Sequence, residues 1–165
     1  MDIALIIIDM QKAYFSENSK KSMESAVGYI NSIIEIFRKH EKQVIWTKNT
    51  IKNDKNIMDT IDFEIIDLLK PQNHDKVIIK AYDNAFNKTD LYEYLAENKI
   101  DTIIITGFCA EYCVLSTYRG AKDKDITPIL LKNAIASTNK DNIKFVEEIS
   151  DIITIRALEK IMKMI

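Results

Sequence analysis

The sequence predicts an α/β fold in which a mainly parallel sheet is covered by helices on both faces. Two observations carry that prediction. Six short β-branched runs recur along the chain, and stretches with helical patterning alternate with them. Parallel strands need a crossover long enough to hold a helix, so this alternation reads as βα repeats. The longest apolar runs are strand-sized, too short for a membrane span.

The first run, residues 3–8, is apolar throughout. Residues 22–39 follow as a helix, with Ala26, Tyr29, Ile30, Ile33, Ile34 and Phe37 on a stripe of 3.6-residue period. A second strand is expected over 43–47 and a helix over 62–69, closed by Pro71. The third strand, 76–79, precedes a helix over 90–97 that Thr89 or Asp90 caps. The fourth strand, 102–105, leads into a helix over 111–122. Pro128 opens the fifth strand, 128–131, at a position where a missing NH is tolerated. Asn139 or Lys140, with Asp141, starts the helix 141–148, and a strand over 152–154 and a helix over 156–164 complete the set. The polar stretch 48–59 is the expected mobile loop, at a strand's carboxyl end.

Composition narrows the function. At 165 residues with 47% hydrophobic content, the chain suits one domain over 1–165 with a single core. A formal charge of -2 gives no reason to expect nucleic acid or an anionic membrane as partner. The start at Met1 lacks a charged segment followed by a long apolar one, which reads as cytoplasmic. Cys109 and Cys113 do not form the framework of a disulfide-built secreted protein. With only His40 and His74, a His-rich metal site is excluded and a Ser-His-Asp triad has few candidates. Three glycines cannot build a Gly-rich phosphate loop, and no cofactor is expected.

Three ionisable side chains fall at the ends of predicted strands. Asp9 ends the first run, Lys80 ends the third, and Cys113 lies in TGFCAEYCVLST, directly after the fourth. In open parallel sheets, ligand crevices form outside the carboxyl ends of the strands. Cys113 falls near a helix start, where backbone NH groups and the helix dipole favour thiolate over thiol. A cysteine hydrolase needs a nucleophile, a base and positive charge; Cys113, Asp9 and Lys80 supply them. Burial would raise the Asp9 pKa and Lys80 would lower it. Gln11 either orients Asp9 or the substrate, or is a surface turn residue. Tyr14, Phe15, Trp46, Tyr82, Phe86 and Tyr112 are candidates for an apolar substrate pocket, with two or three of them reaching it and the rest packing in the core. Asp83 reads as a loop cap rather than a second base, His40 as a dipole partner at a helix C-terminus and His74 as solvated.

The opening ALIIIDMQKAYF, the segment KAYDNAFNKTDLYEYL and TGFCAEYCVLST resemble the three signature blocks of the isochorismatase-like cysteine hydrolases, a family that includes nicotinamidases. The order and spacing agree along essentially the whole chain. The resemblance implies a three-layer Rossmann-like fold with a six-stranded, mainly parallel sheet. It implies a triad of Asp9, Lys80 and Cys113, a non-proline cis peptide at Phe108–Cys109, and oxyanion donors in the backbone NH of Cys113 and of Cys109 or Ala110. It also implies cleavage of a small-molecule amide through a thioester, and a homo-oligomer, dimer or tetramer. True isochorismatases cleave a vinyl ether without a cysteine nucleophile, so Cys113 tilts the reading to C–N bonds.

Departures from the family pattern refine this. The stretch WTKNTIKND lacks the histidines with which nicotinamidases hold a metal, so no metal is expected. Ala110 stands where many amide-cleaving members have Thr, and Asn84 where Ser or Asp is common. The alternatives are hydrolysis of an ester or vinyl ether, a non-catalytic binding or assembly module, and a thiol redox role for Cys109 and Cys113. The last has C-x3-C spacing in place of the usual C-x-x-C.

Overall fold

The computed structural model describes residues 2–50 and 55–164. Its sheet contains strands β1 (Asp2–Ile8), β2 (Gln43–Asn49), β3 (Lys76–Lys80), β4 (Ile100–Phe108), β5 (Thr127–Ala136) and β6 (Ile152–Ile153). Every pair is parallel, in the order β3-β2-β1-β4-β5-β6. Helices α1 (Lys20–Lys39), α2 (Leu91–Glu97), α3 (Leu115–Lys122), α4 (Lys140–Glu148) and α5 (Ile155–Met162) cover both faces, giving three layers.

β1 explains the layering by its alternation. Ile3, Leu5 and Ile7 pack with Met23, Ile30, Ile33 and Phe37 of α1 and with Leu158 and Met162 of α5. Ala4, Ile6 and Ile8 face the other way, towards Leu91 and Leu95 of α2, Leu115 and Tyr118 of α3, and Val146 of α4. Each fully buried aliphatic or aromatic side chain contributes roughly 1.5–3 kcal/mol, so this central strand anchors both layers. Tyr29, expected on the buried stripe of α1, is instead 40% exposed at its margin.

Several boundaries differ from the sequence expectation for identifiable reasons. No helix forms over 62–69. Lys12 donates its NH to Glu64 O (2.8 Å), Ile66 donates its NH to Met10 O (2.9 Å), and Gln11 bridges Ile65 antiparallel. These backbone groups are committed to the segment after β1, which leaves only the 3-10 turn Ile61–Phe63. The helix expected from 111 starts as a π turn, Ala110–Val114, and becomes α-helical at Leu115. β4 and β5 run further than their apolar cores, through Thr106 and Gly107 and through Lys132 and Asn133. Asn139 caps α4 by accepting from Asp141 NH (3.0 Å), and Thr89 Oγ1 accepts from Leu91 NH (3.3 Å) at α2. Of the loop expected over 48–59, residues 51–54 lie outside the described residues; Asn49 closes β2 and a 3-10 turn spans Lys55–Asp59.

The topology fixes where a ligand can enter. From the central pair, β1, β2 and β3 wind outward one way and β4, β5 and β6 the other. The switch point therefore lies between β1 and β4, where neighbouring connections diverge and leave a crevice. The strands meet closely there. Gly107 has φ 110° and pairs with Ile8, and a Cβ on it would stand 2.2 Å from the Ile8 carbonyl oxygen. Only glycine fits that position.

Candidate active site

At the carboxyl end of the sheet, residues from four consecutive strands in spatial order converge. Asp9 directly follows β1 with φ 47°, a left-handed conformation that Asp tolerates better than most residues. Its NH bonds to Thr47 Oγ1 (3.2 Å), and the Thr47 hydroxyl donates to Asp9 Oδ1 (2.5 Å). Lys80, the last residue of β3, places Nζ 2.6 Å from Asp9 Oδ2, both side chains being buried. Lys80 Nζ also donates to Tyr82 O (3.0 Å). Cys113 sits in the π turn after β4, with Sγ 3.6 Å from Asp83 Oδ1 and 3.9 Å from Asn49 Nδ2. Asp9 lines the same cavity as the thiol, and both Asp9 and Lys80 act on it electrostatically.

The electrostatics follow from burial and charge. Burial disfavours a charged Lys80, but the Asp9 carboxylate and the Cys113 sulfur outweigh it and hold the ammonium above the usual lysine range. Burial first, and the Asp9 carboxylate second, push the Cys113 thiol above the usual thiol range, and the pull of Lys80 does not offset them. The thiolate preference expected from a helix start is thus overridden, and the resting group is a thiol beside a carboxylate. Cys109 is pushed up to about 12 by burial and by Glu111, whose Oε2 accepts from its sulfur (3.0 Å). The Phe108–Cys109 peptide is cis. The opening NH groups of a helical turn lack intrahelical acceptors, so the turn from Cys109 to Cys113 offers backbone donors beside the sulfur.

A cavity of about 510 Å³ opens on Cys113, lined by Asp9, Tyr14, Asn49, Asp83, Tyr112 and neighbouring residues. Of the aromatic candidates, Tyr14 and Tyr112 line it. Trp46 does not; it is fully buried on the α1 face of β2, and its indole NH donates to Asp75 Oδ2 (2.9 Å). Phe15 packs against the core near the start of α1, and Phe86 is buried against the α2 and α3 layer. Tyr82 lines a separate cleft with Lys80 and Lys88. Each belongs to a neighbouring strand end or loop, but its side chain leaves on the wrong side. Ala110 is buried beneath the turn, with Cys109 half-buried at the cavity wall. Gln11 is buried, and it meets Asp9 through the backbone, its NH donating to Asp9 O (2.8 Å). Its amide accepts from Asn49 NH (2.6 Å) and donates to Asn49 O (3.1 Å) and Phe63 O (3.1 Å), so it positions Asn49.

Thr47, Asn49 and Glu111 are not singled out by the sequence for this place, and Asp83 is there read first as a loop cap. The polar end of β2, Thr47 to Asn49, was the available signal for the first two. Among the described residues the Asp83 carboxylate caps no backbone NH; Thr117 on α3 holds its loop by accepting from Ala85 NH (3.0 Å) and donating to Asp83 O (3.4 Å). Among the described residues, no three His, Cys, Asp or Glu side chains are grouped to hold a metal ion, and no helix is long and apolar enough to cross a membrane.

A family model for the isochorismatase domain matches residues 3–147. The chain belongs to the isochorismatase family. Its relatives include the isochorismatase family protein YaaI of Bacillus subtilis, 30% identical over 155 residues that cover 87% of this chain and 86% of YaaI. An N-carbamoylsarcosine amidase from Arthrobacter is 29% identical over 154 residues, covering 80% of this chain and 58% of the amidase. The crystal structure of an isochorismatase-like hydrolase from Alkaliphilus metalliredigens matches with a TM-score of 0.87 at 22% identity, over 98% of this chain and 99% of that one. That likeness concerns the fold. The isochorismatase family is hydrolytic, with amidases among its members.

Proposed function

We propose that this isochorismatase-family protein is a cysteine amidohydrolase that cleaves the C–N bond of a small amide through a thioester on Cys113. The observation that carries the reading is the buried Asp9–Lys80 pair at the sheet's switch point, with Asp9 lining the same cavity as the Cys113 thiol. A raised thiol beside a carboxylate suits general-base activation at the moment of attack. Asp9 takes the thiol proton as sulfur bonds to the amide carbon. Lys80, no longer facing a carboxylate anion, then faces the developing negative charge. The oxyanion is held by backbone NH groups of Cys113 and of Cys109 or Ala110. Asp9 returns the proton to the leaving nitrogen, and ammonia or an amine departs. Water attacks the thioester carbonyl, Asp9 takes its proton, and the acid and the free thiol are released.

The relationship to an N-carbamoylsarcosine amidase supports amide chemistry. Two free cysteines suit a reducing, intracellular setting. The test is incubation with a panel of small primary amides, with ammonia release measured and the acid-quenched protein digested for mass spectrometry. Substrate-dependent ammonia and an acyl mass on the Cys113 peptide are expected, and both vanish in Cys113→Ala. Hydrolysis that persists in Cys113→Ala overturns the reading. A panel with neither turnover nor acylation favours a binding or assembly module.

A further inference from the structure

We propose that the Cys113 cavity selects substrates that carry positive charge near the scissile bond and rejects those that carry a carboxylate. The inference deepens the amidase reading and rests on it for the word substrate; the charge selectivity itself belongs to the cavity. Three carboxylates line that cavity, from Asp9, Asp83 and Glu111, and among the described residues no lysine or arginine lines it. Lys80, the cation behind it, is committed to Asp9 at 2.6 Å.

The other two carboxylates have no such partner among the described residues. Asp83 is contacted by the Cys113 thiol and is held towards it by Thr117, and it forms no ion pair with a described residue. Glu111 is fixed by three neutral donors: Cys109 Sγ (3.0 Å) on Oε2, with Ser137 Oγ (3.0 Å) and Asn142 Nδ2 (2.6 Å) on Oε1. Burial raises its pKa, but these bonds outweigh burial and keep the carboxylate ionised at neutral pH. Tyr14, across the cavity, registers the same field. Burial raises its phenol, and Asp9, Cys113 and Asp83 push it further.

Charges confined between low-dielectric walls act more strongly than the same charges in water. An incoming ammonium would supply the missing counterion for Asp83 and Glu111. A carboxylate would add a like charge beside Asp83 at the point where an oxyanion must form. Tyr14 and Tyr112 provide ring faces compatible with an organic cation.

The experiment reads charge preference at Cys113 without requiring turnover. Aminoethyl and sulfonatoethyl methanethiosulfonates, cationic and anionic, are reacted with the protein at low ionic strength, and the Cys113 peptide is followed by mass spectrometry. The cation-to-anion rate ratio is normalised to that of a small neutral thiol, so that shifts in thiol pKa cancel. The normalised ratio is expected to exceed one by about tenfold or more, to fall with added salt, and to drop severalfold in Asp83→Asn and in Glu111→Gln. A ratio at or below the free-thiol value, or one that neither variant changes, overturns the proposal. A parallel series of amides of equal length ending in ammonium, methyl or carboxylate should be hydrolysed in that order. A high reagent ratio with no amide cleaved leaves charge selectivity standing and removes the amidase reading. Amides cleaved without charge order, together with a flat reagent ratio, remove this proposal and leave the amidase reading intact.

Discussion

The two ends of β1 carry the same ion pair in different solvents. At the amino end Asp2 meets Lys42 at 3.0 Å, with side chains 42% and 20% exposed. Past the carboxyl end Asp9 meets Lys80 at 2.6 Å, with side chains 1% and 0% exposed. Solvent-exposed pairs contribute about 0–1 kcal/mol, because water and salt screen them. A buried pair is different: removing both charges from water costs about as much as their attraction returns, and removing one partner alone is severely unfavourable. An apolar pair would stabilise the centre of this sheet at least as well. The charges at the carboxyl end therefore make sense through what they do to Cys113, and those at the amino end as ordinary surface chemistry.

The hardest test of that contrast is Lys80→Met. It leaves the Asp9 carboxylate buried without a cation and is expected to destabilise the fold by about 3–5 kcal/mol in urea denaturation, together with loss of hydrolysis. Adding Asp9→Asn to it should restore most of the stability and none of the activity. If Lys80→Met costs no more than Lys42→Met, the carboxyl-end pair is not desolvated and the comparison collapses.

Asp9→Asn alone sharpens the contrast through pH. Asn keeps the left-handed backbone at residue 9 accessible, so the charge is the principal change. The Asp9 carboxylate is one of the influences that raise the Cys113 thiol, and Lys80 is the one that lowers it. Without the carboxylate, the thiol pKa falls. Alkylation of Cys113 by iodoacetamide at neutral pH should then become roughly tenfold faster for each pKa unit recovered, while hydrolysis drops by about 100-fold or more for want of a base. A thiol that becomes less reactive in Asp9→Asn would mean that Asp9 sustains a resting thiolate.

A smaller effect is expected at Gly120. A Cβ there would stand 2.4 Å from the Asn84 side chain, which accepts from Phe86 NH (2.9 Å) and shapes the loop bearing Asp83. Gly120→Ala should cost about 1–3 kcal/mol if that contact cannot relax. The Asp83 loop should move with it, and the cation preference at Cys113 should fall more than the reactivity of Cys113 itself. A control alanine substitution at Gly28, which has open space around it, should leave both unchanged.

How far the sequence could lead differs between the sheet and the site. The strand cores were legible because residues 3–8 and 102–105 need no partner to identify them as buried. The three charged or thiol-bearing strand ends were legible because in a parallel sheet carboxyl ends gather on one side. What pattern could not supply was side-chain direction and tertiary competition. Trp46 and Thr47 are adjacent, yet alternation sends the indole to Asp75 and the hydroxyl to Asp9. The apolar stripe at 62–69 is helical by pattern, but Met10 and Lys12 take the backbone bonds that a helix would use. Glu111 carries no local signal and Asp83 only that of a loop cap; their placement at the cavity comes from Ser137, Asn142 and Thr117, each distant in sequence.

The amino-end pair completes the comparison with the smallest effect. Burial raises the Asp2 carboxyl, and the Lys42 ammonium together with the Ile3 NH outweighs it, so Asp2 titrates below the usual carboxylate range. A carboxyl lowered by folding stabilises the native state at pH values above its unfolded pKa. That contribution is lost as pH falls through the folded pKa. With much of the pair in water it should amount to less than about 1 kcal/mol, measured as the difference between wild type and Asp2→Asn at neutral pH. The difference should shrink towards zero near 1 M salt, where the screening length is about 3 Å, whereas the penalty of Lys80→Met should persist. A salt-insensitive Asp2 pair would mean that the amino end is as shielded as the carboxyl end, and burial would no longer distinguish the Asp9–Lys80 pair from its surface counterpart.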